Sequence, residues 1–145
     1  MILVVDASVA LKWFVREEGS DRAAAILESH ATLIAPDLIV AEACNAAWRS
    51  WRAGGLHPAQ RAAVAEKLPA ALDAIIPCAG LAPRAMALAA KLDHPAYDCF
   101  YLALAEQRAA TLVTADRRLL GRVTGTVWAD SVDDLARWEP DGISA

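Results

Sequence analysis

Ile2-Leu3-Val4-Val5-Asp6-Ala7-Ser8 is the stretch that decides the fold. Its first four residues are an apolar, β-branched run, and the residues after it turn polar at once, as a strand does where it gives way to a helix. The same rhythm recurs along the chain. Thr32 to Ala35 reads as a second strand closed by Pro36, Ala74 to Pro77 as a third, Thr111 to Thr114 as a fourth and Thr126 to Trp128 as a fifth. Alanine-rich runs fall between them, and helices are predicted over Ser8 to Phe14, Ser20 to Ser29, Leu38 to Ala53, Pro58 to Ala71, Ala82 to Leu92 and Pro95 to Ala109, with a short turn or two after Asp116. Gly54-Gly55 stops the third of these, as glycine past a helix end commonly does. Strands alternating with helices predict an α/β domain with a mainly parallel sheet.

The chain has 145 residues, 57% of them hydrophobic and 22% charged, which fits one domain over residues 1–145 and excludes a disordered tail or low-complexity linker. About a quarter is alanine, so the apolar excess is mostly small side chains suited to close helix packing. Net charge is -4, which argues against coating nucleic acid by bulk electrostatics and leaves any such contact to local arginines. Cys44, Cys78 and Cys99 are odd in number and never spaced as C-x-x-C, so neither a disulfide framework nor a zinc site is expected. With no basic leader before Ile2 and no run of membrane-spanning length, a cytoplasmic protein is expected. The last residues, Pro140 to Ala145, are expected to fray.

In an open parallel sheet, the carboxyl ends of the strands and the amino ends of the following helices meet at one edge, where ligands bind. Four carboxylates fall there. Asp6 follows the first strand, Glu42 lies in the first turns of the helix after the second, Asp98 opens the helix leading into the fourth, and Asp116 ends Thr114-Ala115-Asp116 directly after the fourth. Each alone reads as a cap or a helix-dipole partner. Together they are harder to dismiss, because two carboxylates about 5 Å apart repel by roughly 3 kcal/mol at an effective dielectric near 20. Cations relieve that repulsion, and hard oxygen donors without His or Cys select Mg²⁺ or Mn²⁺, the ions of phosphodiester chemistry.

At these residues the sequence resembles the PIN-domain ribonucleases, in particular the VapC toxins of bacterial toxin and antitoxin pairs. The likeness runs through Val4-Val5-Asp6-Ala7-Ser8, Glu42 with Asn45 one turn later, Asp98-Cys99-Phe100-Tyr101-Leu102-Ala103-Leu104-Ala105, and Thr114-Ala115-Asp116-Arg117-Arg118-Leu119. It implies a three-layer α/β/α domain with a mainly parallel sheet of four to five strands. It also implies metal-dependent endonucleolytic cleavage of RNA leaving a 5′-phosphate and a 3′-hydroxyl, a homodimer, and inhibition by a cognate VapB-like antitoxin. Catalytic and metal-binding roles carry over to Asp6, Glu42, Asp98 and Asp116. Ser8, Asn45 and Thr114 become candidates for supporting those carboxylates or holding the scissile phosphate, while Arg117, Arg118 and Arg122, by their position beside Asp116, read evenly as substrate contacts or as solvated charge. Some relatives carry a further acidic residue shortly after the last motif, where this chain has Arg117, Arg118, Leu119, Leu120, Gly121 and Arg122.

The remaining residues divide less sharply. Glu42, Asn45, Arg49 and Arg52 fall within roughly an 80 degree arc of an ideal helix, so the two arginines read either as an RNA track or as the solvated face opposite Leu38, Ala41, Cys44 and Trp48. Trp13, Phe14, Trp48 and Trp51 read as core or interface anchors before base-stacking platforms. Tyr101 reads equally as packing or as cleft edge, and His30, His57 and His94 lack ligand spacing and are assigned to neither metal nor base work. Two other readings fit worse. Phosphatases that form an aspartyl-phosphate place a second Asp where this chain has Ser8, and a receiver-like signalling domain uses a Lys at a late strand end, away from Lys12, Lys67 and Lys91.

Overall fold

The computed structural model describes residues 1–140. Five strands form one sheet in the order β3-β2-β1-β4-β5, with every neighbouring pair parallel. They are β1 (Ile2–Val5), β2 (Thr32–Pro36), β3 (Ala74–Ile76), β4 (Thr111–Thr114) and β5 (Val132–Asp134). Seven helices accompany them: α1 (Ala7–Ala10), α2 (Ser20–Glu28), α3 (Leu38–Arg52), α4 (Pro58–Ala71), α5 (Ala82–Leu92), α6 (Ala96–Arg108) and α7 (Arg117–Val123). Leu3, Val4 and Val5 of the central strand are all fully buried although successive side chains point to opposite faces, so helices cover the sheet on both sides. This is the expected three-layer α/β/α architecture.

α6 is the helix the core is built around. Cys99, Tyr101, Leu102, Ala103, Leu104 and Ala105 are buried, because one side of α6 lies on β1, β2 and β4 while α5 packs over another. Such a helix needs apolar residues nearly all round, which is why its sequence lacks a polar stripe. α3 and α4 pack together as a hairpin, joined after Ala53 by Gly54, whose φ of +83° is the left-handed conformation that glycine adopts without steric cost.

Three local expectations need correction. Thr126 to Trp128 is not a strand: the Thr126 hydroxyl donates to the Val123 carbonyl (2.6 Å) and accepts from the Trp128 amide (3.2 Å), winding the chain into a turn. The fifth strand is the polar Val132-Asp133-Asp134, an edge strand with partners on one side only. Ser8 to Phe14 is α1 followed by a separate 3₁₀ turn over Leu11–Trp13. Finally, α3 buries Ile39, Ala43 and Ala47, whereas Ala41 and Trp48 of the expected apolar face are exposed. The fraying expected of Pro140 to Ala145 concerns, from residue 141 on, positions outside the described residues.

The topology places the site. From β1 the chain steps outward to β2 and β3, then returns to lay β4 on the other side of β1. The order reverses between β1 and β4, and the crevice beyond their carboxyl ends is where open α/β sheets bind ligands. Asp6 and Asp116 stand at those two ends.

Candidate active site

Asp6 continues the ladder past β1, its amide donating to the Val113 carbonyl of β4 at 3.1 Å. The side chain is only 5% exposed, and its Oδ2 accepts hydrogen bonds from the Ser8 hydroxyl (2.6 Å) and the Thr114 hydroxyl (2.8 Å). Those hydroxyls also accept from the backbone: Ser8 Oγ from the Ala115 amide (3.1 Å) and Thr114 Oγ1 from the Asp116 amide (3.0 Å). One network thus ties the end of β1 to the end of β4. Burial pushes the Asp6 carboxyl up to about 6, the two hydroxyls pull it back, and the charges of Asp98 and Asp116 push it up further.

Glu42 and Asp98 come from two helices and are each held by a neighbour on α6 or at its start. The hydroxyl of fully buried Tyr101 donates to Glu42 Oε1 at 2.6 Å. Burial pushes Glu42 up to about 7, against the pull of that hydrogen bond, with Asp6 and Asp98 adding repulsion. Tyr101 itself is held far above the ordinary phenol range by burial and by the carboxylates of Asp6 and Glu42, so it stays a donor. Asp98 Oδ2 shares a 2.5 Å hydrogen bond with His94 Nε2, and its carboxyl is raised by burial and by Asp116 while His94 and Arg118 pull it down. Asp116 caps α7, its Oδ1 accepting from the amides of Arg118 (2.9 Å) and Leu119 (3.4 Å).

A common pattern emerges from these four side chains. Each carboxylate has one oxygen held by the protein, while Asp6 Oδ1, Glu42 Oε2, Asp98 Oδ1 and Asp116 Oδ2 accept no hydrogen bond from the described residues. Among the described residues no buried side-chain oxygen lacks a partner, so these second oxygens open to solvent rather than being sealed in the core. Among the described residues no three His, Cys, Asp or Glu side chains are placed so that together they could hold a metal ion. The four acids feel one another's charge without converging into a ligand set.

Residues 3–125 match the PIN domain family. The chain belongs to that family. This PIN domain is also 35% identical over 121 residues to Ribonuclease VapC3 of Pyrobaculum aerophilum, a match covering 82% of this chain and 92% of that one. Among solved structures, PAE2754 from Pyrobaculum aerophilum superposes with a TM-score of 0.67 at 24% identity, covering 94% of this chain and 85% of that one. VapBC2 from Rickettsia felis, solved bound to a DNA fragment from its promoter, gives 0.62 at 14% identity, covering 96% of this chain and all of the other. The two structures bear on the fold.

The other candidates separate once placed in this PIN domain. Ser8 and Thr114 sit directly on Asp6, whereas Asn45 is exposed one turn past Glu42 and bonds none of the four acids. Arg117 turns away: its guanidinium grips Asp134 with two hydrogen bonds of 2.7 and 2.9 Å. His94 joins the site although its sequence surroundings suggested only a helix start. The signal was its spacing, since His94 and Asp98 are four residues apart across the first turn of α6. Trp13 is partly buried and donates to the Ala23 carbonyl (2.9 Å), while Trp48 and Trp51 are 46% and 38% exposed beneath the guanidiniums of Arg52 and Arg61. Cys44, Cys78 and Cys99 are unpaired thiols. No helix of the described residues is long and apolar enough to cross a membrane.

Proposed function

We propose that the protein is a metal-dependent endoribonuclease, the toxin of a toxin and antitoxin pair, that hydrolyses RNA phosphodiesters to a 5′-phosphate and a 3′-hydroxyl. The observation that carries this reading is the pattern of four carboxylates, each fixed through one oxygen and open through the other. All donors are hard oxygens, which fits Mg²⁺ or Mn²⁺. Asp6, Glu42, Asp98 and Asp116 would hold one or two such ions, and a bound divalent cation eases the ionisation of water and neutralises charge on the phosphate.

The chain's own residues have defined parts. Ser8 and Thr114 orient the Asp6 carboxylate, Tyr101 orients Glu42, and His94 orients Asp98, so that the outward oxygens keep their place as charge develops. Water attacks phosphorus, the bond to the 3′ oxygen breaks, and that oxygen leaves with a proton as the 3′-hydroxyl. The described residues contain no Ser-His or Cys-His hydrogen bond that would activate a protein nucleophile, which favours direct attack by water.

The partners follow from the same charge. A cleft of repelling carboxylates attracts a guanidinium as readily as a metal, so a VapB-like antitoxin silences it by laying an arginine there, with an amphipathic helix over apolar surface. A homodimer completes the proposal. The deciding experiment incubates total RNA with purified protein in Mg²⁺, Mn²⁺ or EDTA, alongside Asp6→Asn and Asp98→Asn. Discrete fragments that require metal and both aspartates are expected, and full cutting by both variants rejects the site.

A further inference from the structure

A cavity of about 380 Å³ lies beside the carboxylates, lined by His94, Pro95, Arg117, Arg118, Gly121 and Arg122. Arg118 and Arg122 are four residues apart on α7 and therefore share a face, an arrangement in which like charges repel and weaken a helix. The charge of Asp98 acts on Arg118, but it offsets that repulsion only in part. Arg16, Arg84 and Arg117 each pair with a carboxylate, whereas the guanidinium of neither Arg118 nor Arg122 makes a hydrogen bond or ion pair among the described residues. Asp93 is the one acid in the cavity wall, and Arg117 there is already neutralised by Asp134. The cavity adjoins the cleft, because His94 is both part of its wall and the partner of Asp98, whose charge Arg118 also feels.

We infer that this cavity is a phosphate subsite in which Arg118 and Arg122 hold the RNA strand next to the point of cleavage. The inference rests on the nuclease reading and names how the substrate is held. A chain of net charge -4 repels RNA at long range, and a cleft of four carboxylates repels it at short range. Two unpaired guanidiniums at the rim supply the missing attraction, with a fork geometry that fits phosphate oxygens. A larger hollow of about 480 Å³ along β5 sets one arginine, Arg137, among Asp133, Asp134 and Glu139, and so lacks the positive charge a phosphate needs.

The test measures anisotropy of a 3′-fluorescein-labelled, mixed-sequence 12-nucleotide RNA with full-length protein, in Mg²⁺ and in the uncleaving Asp6→Asn background. Arg118→Gln with Arg122→Gln should weaken binding at least tenfold and flatten the salt dependence by about 1.4 in slope, roughly 0.7 for each lost phosphate contact on a single strand. Gly121→Glu keeps both arginines but sets a carboxylate at the cavity, where an added Cβ meets no atom within 4 Å. It should weaken binding while the melting temperature stays level or rises, since glycine inside a helix is destabilising. Tighter binding of a 5′-phosphorylated RNA than of a 5′-hydroxyl one assigns the subsite to a terminal phosphate; equal binding assigns it to an internal diester. RNA binding by the background that survives all three substitutions overturns the subsite alone. Failure of the background to bind RNA overturns the nuclease reading and the subsite with it, and loss of self-association without loss of RNA affinity makes the cavity a protein interface.

Discussion

Removing the charge of Asp6 should stabilise the metal-free protein, and the gain should depend on pH in a calculable way. The carboxyl is almost wholly buried, and its pKa is pushed from 3.8 up to about 6. Between those values the folded state binds a proton that the unfolded state has already lost, so stability falls as pH rises through the window and stays low above it. At about 1.4 kcal/mol per pKa unit, the charged form costs folding about 3 kcal/mol at pH 8 and about 0.5 kcal/mol at pH 4. Asp6→Asn keeps an oxygen to accept from Ser8 and Thr114 while abolishing the charge. In EDTA the variant should therefore melt roughly 10 °C above wild type at pH 8 and nearly level with it at pH 4. Mg²⁺ or Mn²⁺ should reverse the order at pH 8, since an ion at 1,000 times its Kd adds about 4.1 kcal/mol to a protein that binds it, more than the charge costs, and little to one that does not. Thermal melts across pH with and without metal test the argument. A variant no more stable than wild type in EDTA at pH 8, or one stabilised equally at every pH, refutes it.

Other consequences are simpler to state. Tyr101→Phe removes the donor to Glu42 but keeps the buried ring, so folding should change by about 1 kcal/mol while metal affinity, read by titration calorimetry, drops 10- to 100-fold. His94→Gln should weaken metal binding over the same range by loosening Asp98, and an unchanged affinity would reduce His94 to packing. Leu102→Ala opens a hole in the fully buried core beneath α6 and should cost about 2–5 kcal/mol in urea unfolding without altering the metal requirement of surviving activity. Gly54→Ala should cost about 1 kcal/mol through its positive φ alone, because the added Cβ meets no atom within 4 Å.

The fold was legible wherever local pattern and tertiary context agreed. The apolar β-branched runs of β1, β2 and β4 are buried on both faces, so their composition alone declares them strands. α4 and α5 begin beside proline, whose fixed φ suits a helix start, and the predicted starts at Pro58 and Ala82 coincide with the observed ones. The fifth strand escaped because an edge strand needs little apolar surface. Val132-Asp133-Asp134 becomes a strand through its pairing with β4, while Thr126-Val127-Trp128 has strand composition and is bent into a turn by one hydroxyl. On α3, tryptophan looked like the buried face, yet the helix lies close enough to the fold that alanine is what fits there, and Trp48 is left outside.

The site divides along the same line. Position in the chain tells which carboxylates reach the carboxyl edge of the sheet, since the sheet rule depends only on where strands end. It does not tell which side chain holds each one, because those partners arrive from elsewhere: Tyr101 is 59 residues from Glu42, and Thr114 is 108 from Asp6. Only Ser8 and His94 hold an acid close to themselves in sequence, and even His94 required the helical spacing to Asp98 to be taken as a contact. The same distinction explains the arginines. Arg117, Arg118 and Arg122 all follow Asp116 and read alike in sequence, but β5, which sequence placed elsewhere, brings Asp134 to Arg117 and engages its guanidinium. The misplaced strand is thus also why the three arginines could not be told apart in sequence. Putting β5 in its true place pairs Arg117 and leaves Arg118 and its neighbour one turn on, Arg122, as the α7 guanidiniums without an ion pair among the described residues.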